Sequence, residues 1–134
     1  MKSLVIETSE HNADAGYTAR IEPGNIETRG GECQVAVKLA GICGTDLQIL
    51  QGYGEFCGVP GHEFIGVVET APAGDRHWIG KRVVFNAAVE VHRSPSPGEP
   101  TGATLAPEYE LIGEHRHGAH RELFEVPATH IAEV

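Results

Sequence analysis

The hydrophobic and polar positions along the chain predict short strands rather than long helices. Cys33–Leu39 alternates between apolar and polar residues, with the odd-numbered positions, Leu39 included, on the apolar face of a half-buried strand. Apolar residues within Thr45–Gln51 predict one short helix. Further strands are predicted over Lys2–Thr8, Tyr17–Glu22, Phe64–Thr70, Lys81–Ala88, Glu122–Val126 and His130–Val134. The pattern favours an all-β or nearly all-β fold, a small barrel or sandwich.

Turn-forming residues separate these elements, and the chain contains 17 glycines and 8 prolines. Turns or loops are predicted at Glu10–Ala15, after Glu22, at Gln51–Gly61, at Ala71–Gly80 and over residues 92–107. Trp78 falls in one of these turns and is expected to pack locally. The last third supplies core candidates, which are Leu111, Ile112, Leu123, Phe124 and Val126, beside a solvated acidic face of Glu108, Glu110, Glu114 and Glu122.

Length and charge exclude several classes of protein. The 134 residues suit one domain, and 19 acidic against 10 basic side chains argue against a nucleic-acid partner. No apolar run approaches the roughly 20 residues of a membrane-spanning helix, and Met1–Glu7 does not resemble a signal peptide. We therefore expect a soluble cytoplasmic protein without a membrane partner.

The cysteines and histidines carry the candidate chemistry. Three cysteines without a secretory signal argue against a disulfide framework, and Cys33 and Cys57 are expected to be plain core or loop thiols. The histidines of the His115-x-His117-x-x-His120 cluster could converge on a metal or form a solvated polar turn.

Two short blocks combine potential metal ligands with glycines at the ends of predicted strands. Cys43 lies in Gly-Ile-Cys-Gly-Thr-Asp, and His62 and Glu63 follow in Gly-His-Glu. Thiolate, imidazole and carboxylate are all zinc ligands. The spacing alone leaves other readings open, since Cys43 could be a small buried thiol, His62 a structural histidine and Thr45 a helix cap.

Three blocks of sequence resemble the zinc-containing medium-chain alcohol dehydrogenases, in the order and at about the spacing of that family. They are Val35–Asp46 (VAVKLAGICGTD), Gly61–Val68 (GHEFIGVV) and Gly80–Val84 (GKRVV). The resemblance covers most of residues 1–90 and, more weakly, Gly118–Val134. It implies that residues 1–134 form the GroES-like catalytic domain, a distorted β-barrel with one or two short helices.

The resemblance also implies roles for individual residues. Cys43 and His62 would be ligands of a catalytic Zn²⁺, with Glu63 close enough to ligate it. Thr45 would pass a proton between the zinc-bound alcohol and solvent, and Asp46 would orient the ligand histidine. The implied substrate is a small alcohol or carbonyl compound.

Three features depart from the family pattern. No strand-linked Gly-x-Gly-x-x-Gly of a Rossmann domain is present, so NAD(P) is expected only if such a domain is supplied elsewhere. The family's further zinc ligand from a later segment has no counterpart. Asn86–Tyr109 contains no cysteine, so no structural zinc is expected.

The leading hypothesis is therefore the zinc-binding catalytic domain of an alcohol dehydrogenase-like oxidoreductase, without its nucleotide-binding half and not competent alone for hydride transfer. It could be a natural short relative, a fragment or an engineered product. The alternative is a non-enzymatic GroES-like scaffold that self-associates or binds a partner chain. A third, weaker hypothesis is hydrolysis or hydration by water on an incompletely liganded zinc.

Overall fold

The computed structural model describes residues 1–8, 16–23, 30–91 and 108–134. In these ranges the chain is mainly β, as predicted. The only α-helix in the described ranges, α1, spans Gly44–Ile49, and short 3₁₀ turns lie at Tyr53–Glu55, Ala73–Trp78 and Ala128–His130. The strands are β1 (Lys2–Thr8), β2 (Tyr17–Pro23), β3 (Cys33–Ala40), β4 (Phe64–Thr70), β5 (Arg82–Phe85), β6 (Ala88–Val91), β7 (Glu108–Leu111), β8 (Leu123–Val126) and β9 (Ile131–Glu133).

The strands form three antiparallel sheets. The largest has the order β8-β3-β4-β5-β9, while β1 pairs with β2 and β6 pairs with β7. The described strands do not close into one continuous barrel. No helix in the described ranges is both long and apolar enough to cross a membrane.

Several predicted boundaries differ from the observed ones. The predicted strand Lys81–Ala88 is divided into β5 and β6, because the side chain of Asn86 accepts a hydrogen bond from the backbone of Ala88 and turns the chain. Strand β7 was not predicted, since its alternate residues are acidic; it forms by pairing with β6. The turn predicted at Glu10–Ala15, the residues just after Pro23 and the loop predicted over 92–107 lie outside the described residues.

The prediction that Leu39 lies on the buried face of its strand is wrong. Leu39 is 66% exposed, although Cys33 and Val35 are fully buried as predicted. The cause is an irregularity in the pairing of β3 with β4, whose register shifts between Val37 and Leu39. One extra residue on a strand reverses the face of every side chain beyond it. The end of β3 therefore presents an apolar side chain to solvent.

The main core is built around three aromatic rings. Phe64 packs against Phe85 and Phe124 with ring centroids 4.7 and 5.2 Å apart, geometry that adds about 0.5–1.5 kcal/mol per pair beyond burial. Of the core candidates from the last third, Ile112, Phe124 and Val126 are fully buried, whereas Leu111 and Leu123 are half-buried. Trp78 packs against this core from its 3₁₀ turn.

A second, smaller core joins strand β1 to helix α1. It contains Ile6, Ile49 and Phe56, all buried. Ile6 also exchanges two backbone hydrogen bonds with Gly58, at 2.7 and 2.8 Å. The first strand thereby fixes both the helix and the loop that leads toward Gly61.

Three glycines meet where the 58–61 loop crosses the 113–120 segment. A Cβ on Gly118 would lie 2.1 Å from the carbonyl oxygen of Gly61, and one on Gly113 would lie 2.7 Å from the same atom. Gly61 itself has a φ of 101°, a left-handed conformation that favours glycine. This crossing leaves no room for a side chain.

We expect Gly118→Ala to destabilise the protein by about 1–3 kcal/mol, because the added methyl group must displace backbone atoms. Gly74→Ala is the matched control, since a Cβ there meets nothing within 4 Å. The measurement is urea unfolding followed by circular dichroism. Equal midpoints for the two variants would contradict the close backbone contact.

Candidate metal centre

The candidate centre is formed by two segments of the chain. One follows strand β3 and the other precedes strand β4, with which β3 pairs. Cys43 lies three residues after the end of β3, and His62 lies two residues before the start of β4. The last pair of the ladder is Ala40 with Phe64. Beyond that pair the backbone N–H of Gly41 still donates to the carbonyl of Glu63 at 2.9 Å. Antiparallel pairing thus brings together two residues that are 19 positions apart in sequence.

The thiol and the imidazole face each other directly. Cys43 Sγ lies 3.1 Å from His62 Nε2. The backbone N–H of Thr45 donates to the same sulfur at 3.3 Å, and the backbone N–H of Cys43 donates to Asp46 Oδ2 at 2.8 Å. Cys43 is the N-cap of α1, and its bond to Asp46, the N3 residue, belongs to a capping box at the start of this helix. The turn therefore fixes the sulfur before any ion is bound.

Two polar atoms of this cluster are buried without a hydrogen-bond partner among the described residues. They are Asp46 Oδ1 and His62 Nδ1. Asp46 is only 4% exposed, and an unsatisfied buried polar group costs about 1–3 kcal/mol. A cation bound between this carboxylate, the thiol and the imidazole would offset the free-energy cost of burying the unsatisfied oxygen.

The three side chains fit a tetrahedral dication. Ligand atoms of Cys43, Asp46 and His62 all lie within 4.8 Å of one another, and this is the only such group of three in the described ranges. Zinc–sulfur and zinc–nitrogen bonds of about 2.3 and 2.0 Å imply ligand atoms about 3.5 Å apart, close to the observed sulfur–nitrogen distance. Sulfur, nitrogen and carboxylate oxygen together suit zinc better than magnesium or calcium.

The remaining predicted site residues lie nearby but outside this group. Glu63 is exposed, and its carboxylate lies against Gly41, where an added Cβ would be 2.7 Å from Oε2. Thr45 is half-buried on the first turn of α1. The observed bond of Asp46 goes to the backbone of Cys43 rather than to His62. The predicted roles of Thr45, Asp46 and Glu63 stay predictions.

The three clustered histidines do not converge on one point. His115 Nδ1 accepts from the backbone of Leu111, and His117 Nδ1 accepts from the backbone of Val59. His120 Nε2 instead lies 2.9 Å from the carbonyl of Gly41. Each ring contacts a different stretch of backbone, and of the three only the ring of His120 is bonded to the segment that carries Cys43. Nothing in the sequence pattern predicts this contact.

All three cysteines are free thiols, in three different environments. Cys33 is buried in the main core, whereas Cys57 is exposed in a loop, as predicted for plain thiols. Burial raises the pKa of the Cys33 thiol, and the negative charges of Asp75 and Glu32 raise it further. Cys43 has intermediate exposure.

Fold and site together define a GroES-like domain of the kind found in alcohol dehydrogenases. The alcohol dehydrogenase GroES-like domain family matches residues 29–134, and the chain belongs to that family.

Individual relatives agree with this assignment. The starvation-sensing protein RspB of Escherichia coli K12 is 35% identical over an alignment that covers 96% of this chain and 37% of RspB. The crystal structure of a short chain alcohol dehydrogenase (rspB) from E. coli CFT073, complexed with NADH, is 29% identical with a TM-score of 0.68 and covers 100% of this chain and 38% of that one. The alcohol dehydrogenase of Aeropyrum pernix, 20% identical, shares the fold with a TM-score of 0.75 over 100% of this chain and 40% of its own. The chain thus spans well under half the length of these relatives.

We expect alkylation to separate the three thiols. In native protein Cys57 should react with iodoacetamide at least about tenfold faster than Cys33, whose thiol is buried and whose thiolate is scarce. Mass spectrometry of timed digests measures each site, and the denatured protein serves as the control in which all three react. Labelling of native Cys33 at the rate of Cys57 would contradict the described burial.

Proposed function

We propose that this domain holds a Zn²⁺ ion and supplies the metal-binding part of an alcohol dehydrogenase-like oxidoreductase. The observation that carries the proposal is the donor group of Cys43, Asp46 and His62, in which the buried Oδ1 of Asp46 has no hydrogen-bond partner among the described residues. Family membership of residues 29–134 supports the same chemistry.

When bound, zinc supplies a Lewis acid that polarises the oxygen of an alcohol or carbonyl substrate. The residues of this chain orient the side chains that would hold the ion. Cys43 presents a thiol already oriented by the Thr45 N–H, and Asp46 anchors the backbone of Cys43. The Thr45 hydroxyl, on the same half-buried turn, is proposed to transfer the substrate proton toward solvent.

We infer that hydride transfer to or from a small alcohol or carbonyl substrate needs a nucleotide-binding part supplied elsewhere. The sequence contains no Rossmann glycine fingerprint. RspB and the two dehydrogenases described above are each more than twice as long as this chain. Three free thiols are consistent with the proposed cytoplasmic location.

A second candidate function is supported by the apolar surface beside the centre. Leu39, Ile42 and Leu47 are 66, 71 and 55% exposed, and all lie within four residues of Cys43. Such side chains are typical of a surface that another chain or domain covers. A scaffold that self-associates through this surface would sediment as a dimer or larger species, whereas Ile42→Ser would return it to monomer.

Zinc binding by the purified protein tests the leading proposal. We expect one equivalent in chelator competition, and a loss of affinity of about 100-fold or more in Cys43→Ala, because a direct ligand is removed. Cys57→Ala is the matched control, since Cys57 lies outside the donor group and should bind zinc as wild type does.

The same titration decides the third ligand. Asp46→Asn should weaken binding by about 10–100-fold. Glu63→Gln should change it less, because Glu63 is exposed and outside the group. Wild-type protein that takes up no zinc, or Cys43→Ala that binds it equally, would overturn the proposed metal centre.

A further inference from the structure

The ring of His120 lies between the two segments that carry Cys43 and His62. Its Nε2 is 2.9 Å from the carbonyl oxygen of Gly41, two residues before Cys43. Its Cδ2 is so close to Gly61 that a Cβ on that glycine would lie 2.6 Å away. One side chain therefore contacts both segments of the centre without belonging to the donor group.

The backbone of His120 is held on both sides, which fixes where the ring can lie. Its N–H donates to the carbonyl of Pro60 at 3.0 Å, and its carbonyl accepts from the N–H of Leu4 at 2.8 Å. Strand β1 and the turn before His62 therefore fix the backbone position from which the side chain of His120 extends.

The hydrogen-bond pattern shows what a histidine adds at this position. A carbonyl oxygen can only accept, so His120 Nε2 carries the hydrogen and donates to Gly41. Nδ1 is then a bare acceptor, and it is buried without a partner in the described part of the chain. An apolar ring would fill the same space without the cost of burying an unsatisfied acceptor. The bond to Gly41 is the contribution that distinguishes histidine from phenylalanine here.

That bond acts where the regular ladder has ended. Beyond Ala40 the Cys43 segment is joined to the His62 segment by the backbone bond from Gly41 to Glu63 and by the thiol–imidazole contact itself. Metal ligands must be held to within about 0.5 Å of their working positions. A donor to the Gly41 carbonyl fixes the peptide plane from which the Cys43 loop departs.

We propose that His120 is a positioning residue of the metal centre, whose Nε2–H bond to the Gly41 carbonyl holds the Cys43 segment at its distance from His62. The proposal rests on the proposed zinc site. It assigns His120 no contact with the ion or the substrate.

Cobalt(II) titration of three variants tests this role, because the thiolate-to-cobalt charge-transfer band reports directly on the Cys43–metal bond. His120→Phe keeps a ring but removes the donor, and should lower cobalt affinity by about 10–100-fold and alter the band. His120→Gln places an amide N–H at the reach of Nε2 and should restore both. His77→Phe is the control, since His77 is exposed and far along the chain in the 73–78 turn.

Cobalt binding and spectra unchanged in His120→Phe would overturn the proposal. Should that variant not fold, His120→Gln is compared with His120→Asn, whose shorter amide matches Nδ1 and cannot reach Gly41. The proposal requires tighter cobalt binding in the glutamine variant, and equal binding would overturn it.

A measurement without metal separates this proposal from the zinc site. Hydrogen exchange of the Gly41 amide, bonded to Glu63, should accelerate at least tenfold in metal-free His120→Phe and return to the wild-type rate in His120→Gln. The Val68 amide, bonded to Lys81 within the large sheet, is the internal reference. If the wild-type protein binds no cobalt, the proposed zinc site is wrong. The exchange rate of the Gly41 amide then tests by itself whether His120 positions the Cys43 segment. An unchanged Gly41 rate in His120→Phe would overturn that role.

Discussion

The centre depends on the backbone contact between the loop at Val59–Gly61 and the segment Gly118–His120. Three successive amides of that segment donate to carbonyls of the loop, at 2.7, 2.9 and 3.0 Å. The close approach is possible only because Gly118 has no side chain to meet the Gly61 carbonyl. Strand β1 bonds to His120 through Leu4, and through Ile6 to Gly58, the residue just before the loop. His62 follows this loop directly, so its position is determined by a contact almost 60 residues away in sequence.

Cys43 serves the backbone as well as the centre. Its sulfur accepts a hydrogen bond that caps α1, and its N–H completes the capping box with Asp46. A helix of six residues is not stable by itself in water, and α1 is held by the burial of Ile49 against Ile6. The thiol is therefore oriented by packing on the far side of the helix. Helix α1 therefore connects the donor group to the small core.

The sequence predicted those parts of the molecule that are determined locally. Strands β1 and β4 begin and end at the predicted residues, because each is a short run of apolar, mostly β-branched residues bounded by polar or turn-forming ones. Cys43 and His62 lie in short blocks of sequence whose residue types by themselves suggest metal ligands.

Other features depend on contacts between distant segments. The exposure of Leu39 follows from a shift in pairing with β4, which one strand's pattern does not contain. The place of Asp46 beside Cys43 and His62, and the bond from His120 to Gly41, arise from tertiary packing. Strand β7 exists only because β6 pairs with it.

Several contacts that support the candidate centre are main chain to main chain, as in Gly41 with Glu63 and Ala119 with Gly61. Such bonds are indifferent to which side chains the participating residues carry, glycines apart. Surrounding side chains such as Ile42 and Leu47 can therefore be exchanged while the geometry of the centre is retained. On a scaffold of this kind the surrounding surface can diverge while the residues of the candidate centre keep their relative positions.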